Sequence, residues 1–289
     1  MQIIINGLVS GSAIALLAMA FQVVFLPTRI LFIALAGIYT VAPFVAYQCL
    51  ESGLGWTLAV AATLAVCIVL SLLCEWANHA RLGRSGASEG AQLIASLGIY
   101  IVLVQVVAMI WGNETKTLRT GLDSTLRMGD LVVTGAQCTT LATAAILLAL
   151  FTFVLLRTNL GLRLRALADN PTMFALFGYN VDSHRLLAFG LSGIFVTAAS
   201  LTTAYDIGFD PHTGLHAVLL AIVAVIIGGR GSFFGLLIGA LLLGLLRAQV
   251  VWHLSARWQE AVTFALLALF LLLRPQGLLG HKTRLEAAS

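Results

Sequence analysis

The sequence predicts an all-α, polytopic integral membrane protein with eight or nine transmembrane helices, and three observations predict it. Of its 289 residues, 60% are hydrophobic and only 10% are charged, whereas soluble domains carry roughly 25% charged residues to face water. The charges also cluster, leaving uncharged stretches such as Met1 to Thr28, Ile30 to Leu50 and Gly53 to Cys74, and about 20 apolar residues suffice for one helical crossing. Apolar runs such as Ala217 to Ile227 lack the period-two alternation of a membrane β-barrel, so helices remain as the way to satisfy the backbone in lipid.

Candidate spans run over 3–26, 30–50, 54–74, 91–111, 137–156, 183–204, 215–228, 232–250 and 258–273. They form a single domain, 1–289, with a polar segment at 157–182, a longer loop at 112–136 and a tail at 274–289. Pro27-Thr28-Arg29 and Gly228-Gly229-Arg230-Gly231 are short enough to be breaks inside one re-entrant helix, hence eight or nine. The first span contains Ala18-Met19-Ala20, a pattern like a signal cleavage site, but no Lys or Arg precedes it, so it reads as a retained helix.

Lys and Arg concentrate on the cytoplasmic side of membrane proteins. With the carboxyl terminus inside, eleven of the sixteen basic residues fall on inner connections: Arg29, Arg81, Arg84, Arg157, Arg163, Arg165, Arg185, Arg230, Arg274, Lys282 and Arg284. The net charge of +4 is thus explained by topology and forms no basic stripe for nucleic acid. Cys49, Cys67, Cys74 and Cys138 show no C-x-x-C spacing and read as small apolar residues. Small residues one helical turn apart, such as Gly7, Gly11 and Ala15, or Gly235, Gly239, Ala240 and Gly244, read as faces for close helix contact.

The segment 157–182, RTNLGLRLRALADNPTMFALFGYNVD, carries its own helix punctuation. Asn170 suits an N-cap, Pro171 the first helical position, and Gly178 the left-handed residue that ends the helix, with Asp182 expected to cap the next span. So short a helix is unstable without packing. Its apolar residues Met173, Phe174, Leu176 and Phe177 face more than one side, which leaves some for a partner protein or for the surface of the inner leaflet beside Arg157, Arg163 and Arg165.

Other polar residues in or near spans read more plainly. Glu75, Arg247 and Glu260 fall near span ends, with Arg247 and Glu260 expected to pair across a turn. Gln22, Tyr39, Gln48 and Gln105 are candidate pathway groups or interhelical bonds. His184, His212, His216 and His253 lack metal-ligand spacing. A P-loop would need G-x-x-x-x-G-K-[ST], but Lys116-Thr117 follows Thr115 and Lys282-Thr283 follows His281 where Gly belongs, so ATP chemistry is not expected in this chain. No nucleophile constellation appears, and Asn113-Glu-Thr115 fits a glycosylation acceptor that matters only in a secretory pathway.

Ala166-Leu-Ala-Asp-Asn-Pro-Thr-Met-Phe-Ala175-Leu-Phe-Gly178, followed by His184-Arg185-Leu-Leu-Ala-Phe-Gly-Leu-Ser-Gly193, resembles the coupling loop of branched-chain amino acid ABC importer permeases. Gly228-Gly229-Arg230-Gly231-Ser232-Phe233-Phe234-Gly235 with Gly239-Ala240 is similar to that family's G-G-x-G-S-x-x-G…G-A signature. Arg274-Pro275-Gln276-Gly277-Leu278-Leu279-Gly280 resembles its R-P-x-G-L-x-G, and Asn6-Gly7, Gly11-Ser12 and Ala15-Leu16 resemble its opening.

The resemblance implies a permease whose coupling helix, about Pro171 to Phe177, sits in a groove of a cytoplasmic ATPase through Ala166, Asn170, Pro171, Phe174, Ala175 and Gly178. It implies structural roles for Gly228, Gly229, Gly231, Gly235 and Gly239. It further implies a second permease subunit, two ATPase subunits that bind ATP and Mg, an extracytoplasmic solute-binding protein, and a bacterial inner-membrane location with the carboxyl terminus cytoplasmic. Branched-chain or other apolar amino acids are the expected solutes, with urea, short amides or small carboxylic acids as alternatives. Phe32, Leu35 and Gly37 stand where many relatives carry Asn, His and an acidic residue, implying a more apolar path. A different class, an ion-coupled secondary transporter, would need mid-membrane ionisable groups, which are nearly lacking.

Overall fold

The computed structural model describes residues 1–119, 125–128, 131–229, 231–274 and 276–279. Arg230, most of the tail and part of the 112–136 loop therefore lie outside the described residues, as do Pro275, Gly280, Lys282 and Arg284. Chain order runs α1 (Gln2–Thr28), α2 (Leu35–Glu51), α3 (Trp56–Leu73), a π-helical turn (Cys74–His79), α4 (Ala80–Arg84) and α5 (Glu89–Trp111). A hairpin of β1 (Thr125–Met128) and β2 (Leu131–Thr134) leads into α6 (Gly135–Arg157), α7 (Asn159–Asp169), α8 (Pro171–Leu176) and α9 (Val181–Ile207). The chain continues through α10 (Thr213–Gly228), α11 (Phe233–His253), a 3-10 turn (Ala256–Trp258) and α12 (Gln259–Leu273).

Among the described residues, seven helical stretches are long and apolar enough to cross a membrane. The expected second and seventh spans are the shorter α2 and α10, at 17 and 16 residues. Both are embedded rather than peripheral, because Leu35 to Phe44 is buried throughout and α10 buries Val223, Ala224, Val225, Ile227 and Gly228. At 1.5 Å per residue each reaches only about 25 Å, short of the roughly 30 Å hydrocarbon core.

The bundle is organised around α1, whose middle from Ala15 to Val24 is buried without interruption, Ala18-Met19-Ala20 included. Between apolar helices in lipid, association comes from close packing rather than from expulsion of water, so small residues decide where backbones can meet. The expected glycine faces do this. A Cβ on Gly244 would collide with the backbone of Gly11, and one on Gly7 would lie 2.9 Å from Leu245 Cα. The pairing of Gly7 with Leu245 and of Gly11 with Leu241 makes α1 and α11 antiparallel. On another side, a Cβ on Gly193 of α9 would come within 2.9 Å of Ile68 Cα on α3.

The hairpin was not expected. Its register pairs Thr125 with Thr134 and Met128 with Leu131, and β2 is held to the start of α1 by Gln2, whose Nε2 donates to Val132 O (2.8 Å) and whose Oε1 accepts from Val132 N (3.1 Å). Thr134 then caps α6 in a reciprocal box with Gln137. A Gly-Asp pair between short apolar runs is a hairpin signal, but it was outweighed by the composition of the surrounding spans.

Gly244→Leu should cost about 1–3 kcal/mol through overpacking, whereas Gly98→Ala, with nothing within 4 Å of its Cβ position, should be neutral. Thermal unfolding of the detergent-solubilised protein checks this; equal midpoints for both variants would contradict the packing described.

Candidate functional site

The segment between α6 and α9 is built from three successive caps. Thr158 adopts an extended conformation, and its Oγ1 donates to Val154 O (2.6 Å) while accepting from Gly161 N (3.3 Å). That reversal is so tight that a Cβ on Gly161 would run into the backbone of Leu155. The resulting helix, α7, buries Leu164 and Leu167 and exposes Arg165 and Asp169. Only α8 was expected in this segment, although the Thr cap and the spacing of the buried leucines also mark α7 as helical.

α8 forms as expected. Asn170 Oδ1 accepts from Met173 N (3.0 Å), Pro171 takes the first position, and Gly178 ends the turn at φ +83° with its N–H donated to Ala175 O. Only Phe174 of its apolar side chains is buried, stacked on Tyr179 (centroids 5.0 Å) and edge-on to His184 (5.0 Å). Met173 is 54% exposed, Leu176 76% and Phe177 80%. Ala166, Asn170, Pro171, Ala175 and Gly178 are also exposed, so they surround this apolar tip rather than the bundle interior.

One capping assignment is corrected. Asn180, not Asp182, caps α9, by accepting from Ser183 N (3.1 Å). Asp182 lies in the first turn and pairs with Arg84 (2.9 Å). One turn further, Arg185 Nε donates to Glu75 Oε1 (2.7 Å) and Nη2 to Oε2 (3.3 Å). Glu75 is 1% exposed and sits in the π-helical turn, where the wider winding of the backbone re-aims side chains relative to α3. Phe174 therefore touches the start of α9, and α9 is fastened to α3 by a buried two-point ion pair.

The two glycine motifs meet in space. A Cβ on Gly239 would press into Gly228 (2.8 Å to its N), and Gly228 and Gly235 are in backbone contact, which joins α10 to α11. Gly229 and Gly231 take φ of +106° and +100°, open to glycine at little cost. The carboxyl-terminal stretch docks on the same turn: Leu278 N donates to Ile227 O (2.8 Å) and Leu279 N to Gly228 O (3.0 Å).

The four candidate pathway groups do not converge. Gln22 is fully buried with neither amide atom hydrogen-bonded, Gln48 accepts from Trp111 Nε1 (2.9 Å), and Gln105 is exposed on α5. Tyr39 lines a cavity of about 430 Å³ at the end of the bundle remote from α8, among α1, α2, α6, α9, α10 and α11. The expected Arg247–Glu260 pair makes no direct contact, although Glu260 acts electrostatically on Arg247. Arg247 donates to Gln259 Oε1 (3.4 Å) and Thr263 Oγ1 (3.5 Å), Glu260 approaches His216 Nδ1 (3.8 Å), and Arg247 and His216 both line the cavity. A wider hollow of about 1140 Å³ lies between α3, α6 and α9, lined by Trp56, Thr139 and Thr143 among others. Among the described residues, no cluster of His, Cys, Asp and Glu is arranged to hold a metal.

The family described as "Branched-chain amino acid transport system / permease component" matches residues 3–271. The chain belongs to that family. The high-affinity branched-chain amino acid transport system permease protein LivH of Escherichia coli is 28% identical, over 97% of this chain and 96% of its own length. BraD, the corresponding permease protein of Pseudomonas aeruginosa, is 26% identical over the same shares. Among solved structures, a chain of PsaBC from Streptococcus pneumoniae in complex with Fab superposes with a TM-score of 0.51 at 15% identity, covering 100% of this chain and 96% of that one; this likeness concerns the fold. As a member of a permease family with seven membrane-capable helices, the protein is a multi-pass membrane protein.

Removing one partner of a buried ion pair leaves an uncompensated charge, at about 3–5 kcal/mol. Arg185→Leu should therefore unfold well below the wild-type permease, and Glu75→Gln together with Arg185→Gln should recover most of the loss. Arg84→Ala, whose ion pair is more than half exposed on both sides, should change stability by about 1 kcal/mol or less. Thermal denaturation of the three variants gives the comparison, and an Arg185→Leu protein as stable as Arg84→Ala would refute the clamp.

Proposed function

We propose that this protein is the permease subunit of an ATP-binding-cassette importer in a bacterial inner membrane, and that α8 is its coupling helix. The observation that carries the reading is the division of labour within six residues. Phe174 is buried against Tyr179 and His184, while Met173, Leu176 and Phe177 are exposed at the tip of a capped helix. Apolar side chains grouped on a short, rigid helix fit the helix-in-groove mode of recognition. The expected occupant is one of two cytoplasmic ATPase subunits, which supply the ATP and Mg site. A second permease subunit completes the membrane pair, and an extracytoplasmic binding protein delivers the solute to the opposite end.

Mechanically, closure of the ATPase pair displaces α8. Phe174 passes the displacement to the start of α9, and the Arg185–Glu75 pair passes it to α3. The solute pathway is thereby opened to one side at a time, each state selected by nucleotide. Apolar amino acids are the proposed solutes, in keeping with the names borne by LivH and BraD.

Phe177→Asp should abolish co-purification of the ATPase subunits while membrane insertion and thermal midpoint stay at wild-type values, since Phe177 has no packing to lose. Phe174→Ala should lower both association and stability, because a buried aromatic is removed at about 3–5 kcal/mol. Affinity purification from membranes, read with thermal unfolding, checks both. Retention of the ATPase by Phe177→Asp would contradict the assignment of α8.

A further inference from the structure

Arg247 is the unexpected member of the cavity remote from α8. It lies on a membrane-spanning helix, half-buried, and donates hydrogen bonds to the neutral Gln259 and Thr263 at 3.4–3.5 Å, the long end of hydrogen bonding. Among the described residues no carboxylate comes within ion-pair distance of it, and Glu260 acts on it electrostatically from farther away. Charges in spans face bundle interiors or cavities and mark functional positions, and a guanidinium presents five donors in a planar fork suited to a carboxylate.

The rest of the cavity suits a small amphipathic molecule. One wall is apolar, formed by Val9, Ala13, Ile14 and Leu17 of α1 and Leu220 of α10. Tyr39, Thr140, Ser200 and Thr203 also line it, with the hydroxyls of Thr140, Ser200 and Thr203 donating to Ala136 O, Tyr39 O and Ala199 O, and Asp206 and His216 lie toward the helix ends with Arg247. Its volume of about 430 Å³ falls in the usual range of small-molecule sites, about 300–1000 Å³. The helix directions put its mouth opposite α8: α9 begins beside α8 and ends at Ile207, and α11, antiparallel to α1, ends at His253.

We propose that this cavity is a solute-binding station within the permease, in which Arg247 holds the α-carboxylate of an amino acid and the α1 wall receives its apolar side chain. The inference rests on the importer reading above and adds to it where in this chain the solute binds and which of its groups is recognised. It also gives the path a charged anchor in place of the apolar one expected from Phe32, Leu35 and Gly37. Those three line no part of the cavity.

The test uses the complete importer in proteoliposomes, with radiolabelled leucine as the probe and ATP hydrolysis measured in parallel. Arg247→Gln keeps a hydrogen-bonding side chain beside Gln259 but removes the charge. It should raise the apparent KM for leucine about tenfold to a hundredfold, the range expected for losing a hydrogen bond to a charged group, while ATP hydrolysis persists. Arg247→Lys should restore part of the loss. Gln259→Ala, which removes the structural partner and leaves the charge, should transport nearly as wild type, and Ala13→Phe, which fills the apolar wall, should lower uptake of leucine. Unchanged leucine uptake by Arg247→Gln and Ala13→Phe, or equal losses in Arg247→Gln and Gln259→Ala, would overturn the site. A wild-type complex that hydrolyses ATP with its binding protein but carries no apolar amino acid would overturn the assigned ligand class. A chain that forms no ATPase complex would instead defeat the importer reading itself.

Discussion

Close backbone contact along α1 is the constraint on which the rest of the molecule depends. In lipid an apolar side chain gains little by leaving one hydrocarbon environment for another, so this bundle is held where glycines let helix axes approach. Gly7 and Gly11 meet α11, and α1 also packs against α6, α7, α9 and α10. The contact with α7 matters most for function. By fixing α7 through Leu164 and Leu167, the bundle fixes where α8 emerges and which of its faces is left uncovered.

Polar interactions then act at the few places where small residues alone would leave the arrangement loose. The Glu75–Arg185 pair is costly to desolvate and gives weak evidence for stability by itself. Its value is positional: it joins the first turns of α9 to the π-helical turn after α3, so that a push on α8 is not absorbed at the chain reversal around Gly178. The exposed Arg84–Asp182 pair adds a second tie on the same side. At the opposite end Arg247 makes no direct ion pair among the described residues, with Glu260 acting on it only from a distance, which is why it suggests a ligand and Glu75 suggests a fastener.

Much of this was legible in the sequence because membranes impose crude rules. Charge gaps located the spans to within a few residues, and Asn170, Pro171 and Gly178 located α8, since cap chemistry is local. The errors were of two kinds. Asn180 and Asp182 are both good caps two residues apart; Asn180 takes the cap and Asp182 pairs with Arg84, a tertiary contact that local cap chemistry does not encode. Tyr39 and Gln105 look alike as polar groups in spans, yet one lines a cavity and the other faces outward, a distinction set by helix rotation that composition does not encode. Helix rotation also decides Arg247: Gln259 and Thr263 take its direct hydrogen bonds, and Glu260 acts on it only electrostatically.

The central claim is that α8 is anchored to the bundle by Phe174 and offers Phe177 to an ATPase. Replacing Phe177 with photoreactive benzoylphenylalanine in native membranes and irradiating tests it directly. The account predicts a covalent adduct between this chain and an ATPase subunit, and only intrachain products when the same group replaces Phe174. Adducts of position 177 confined to lipid or to the permease itself would contradict it.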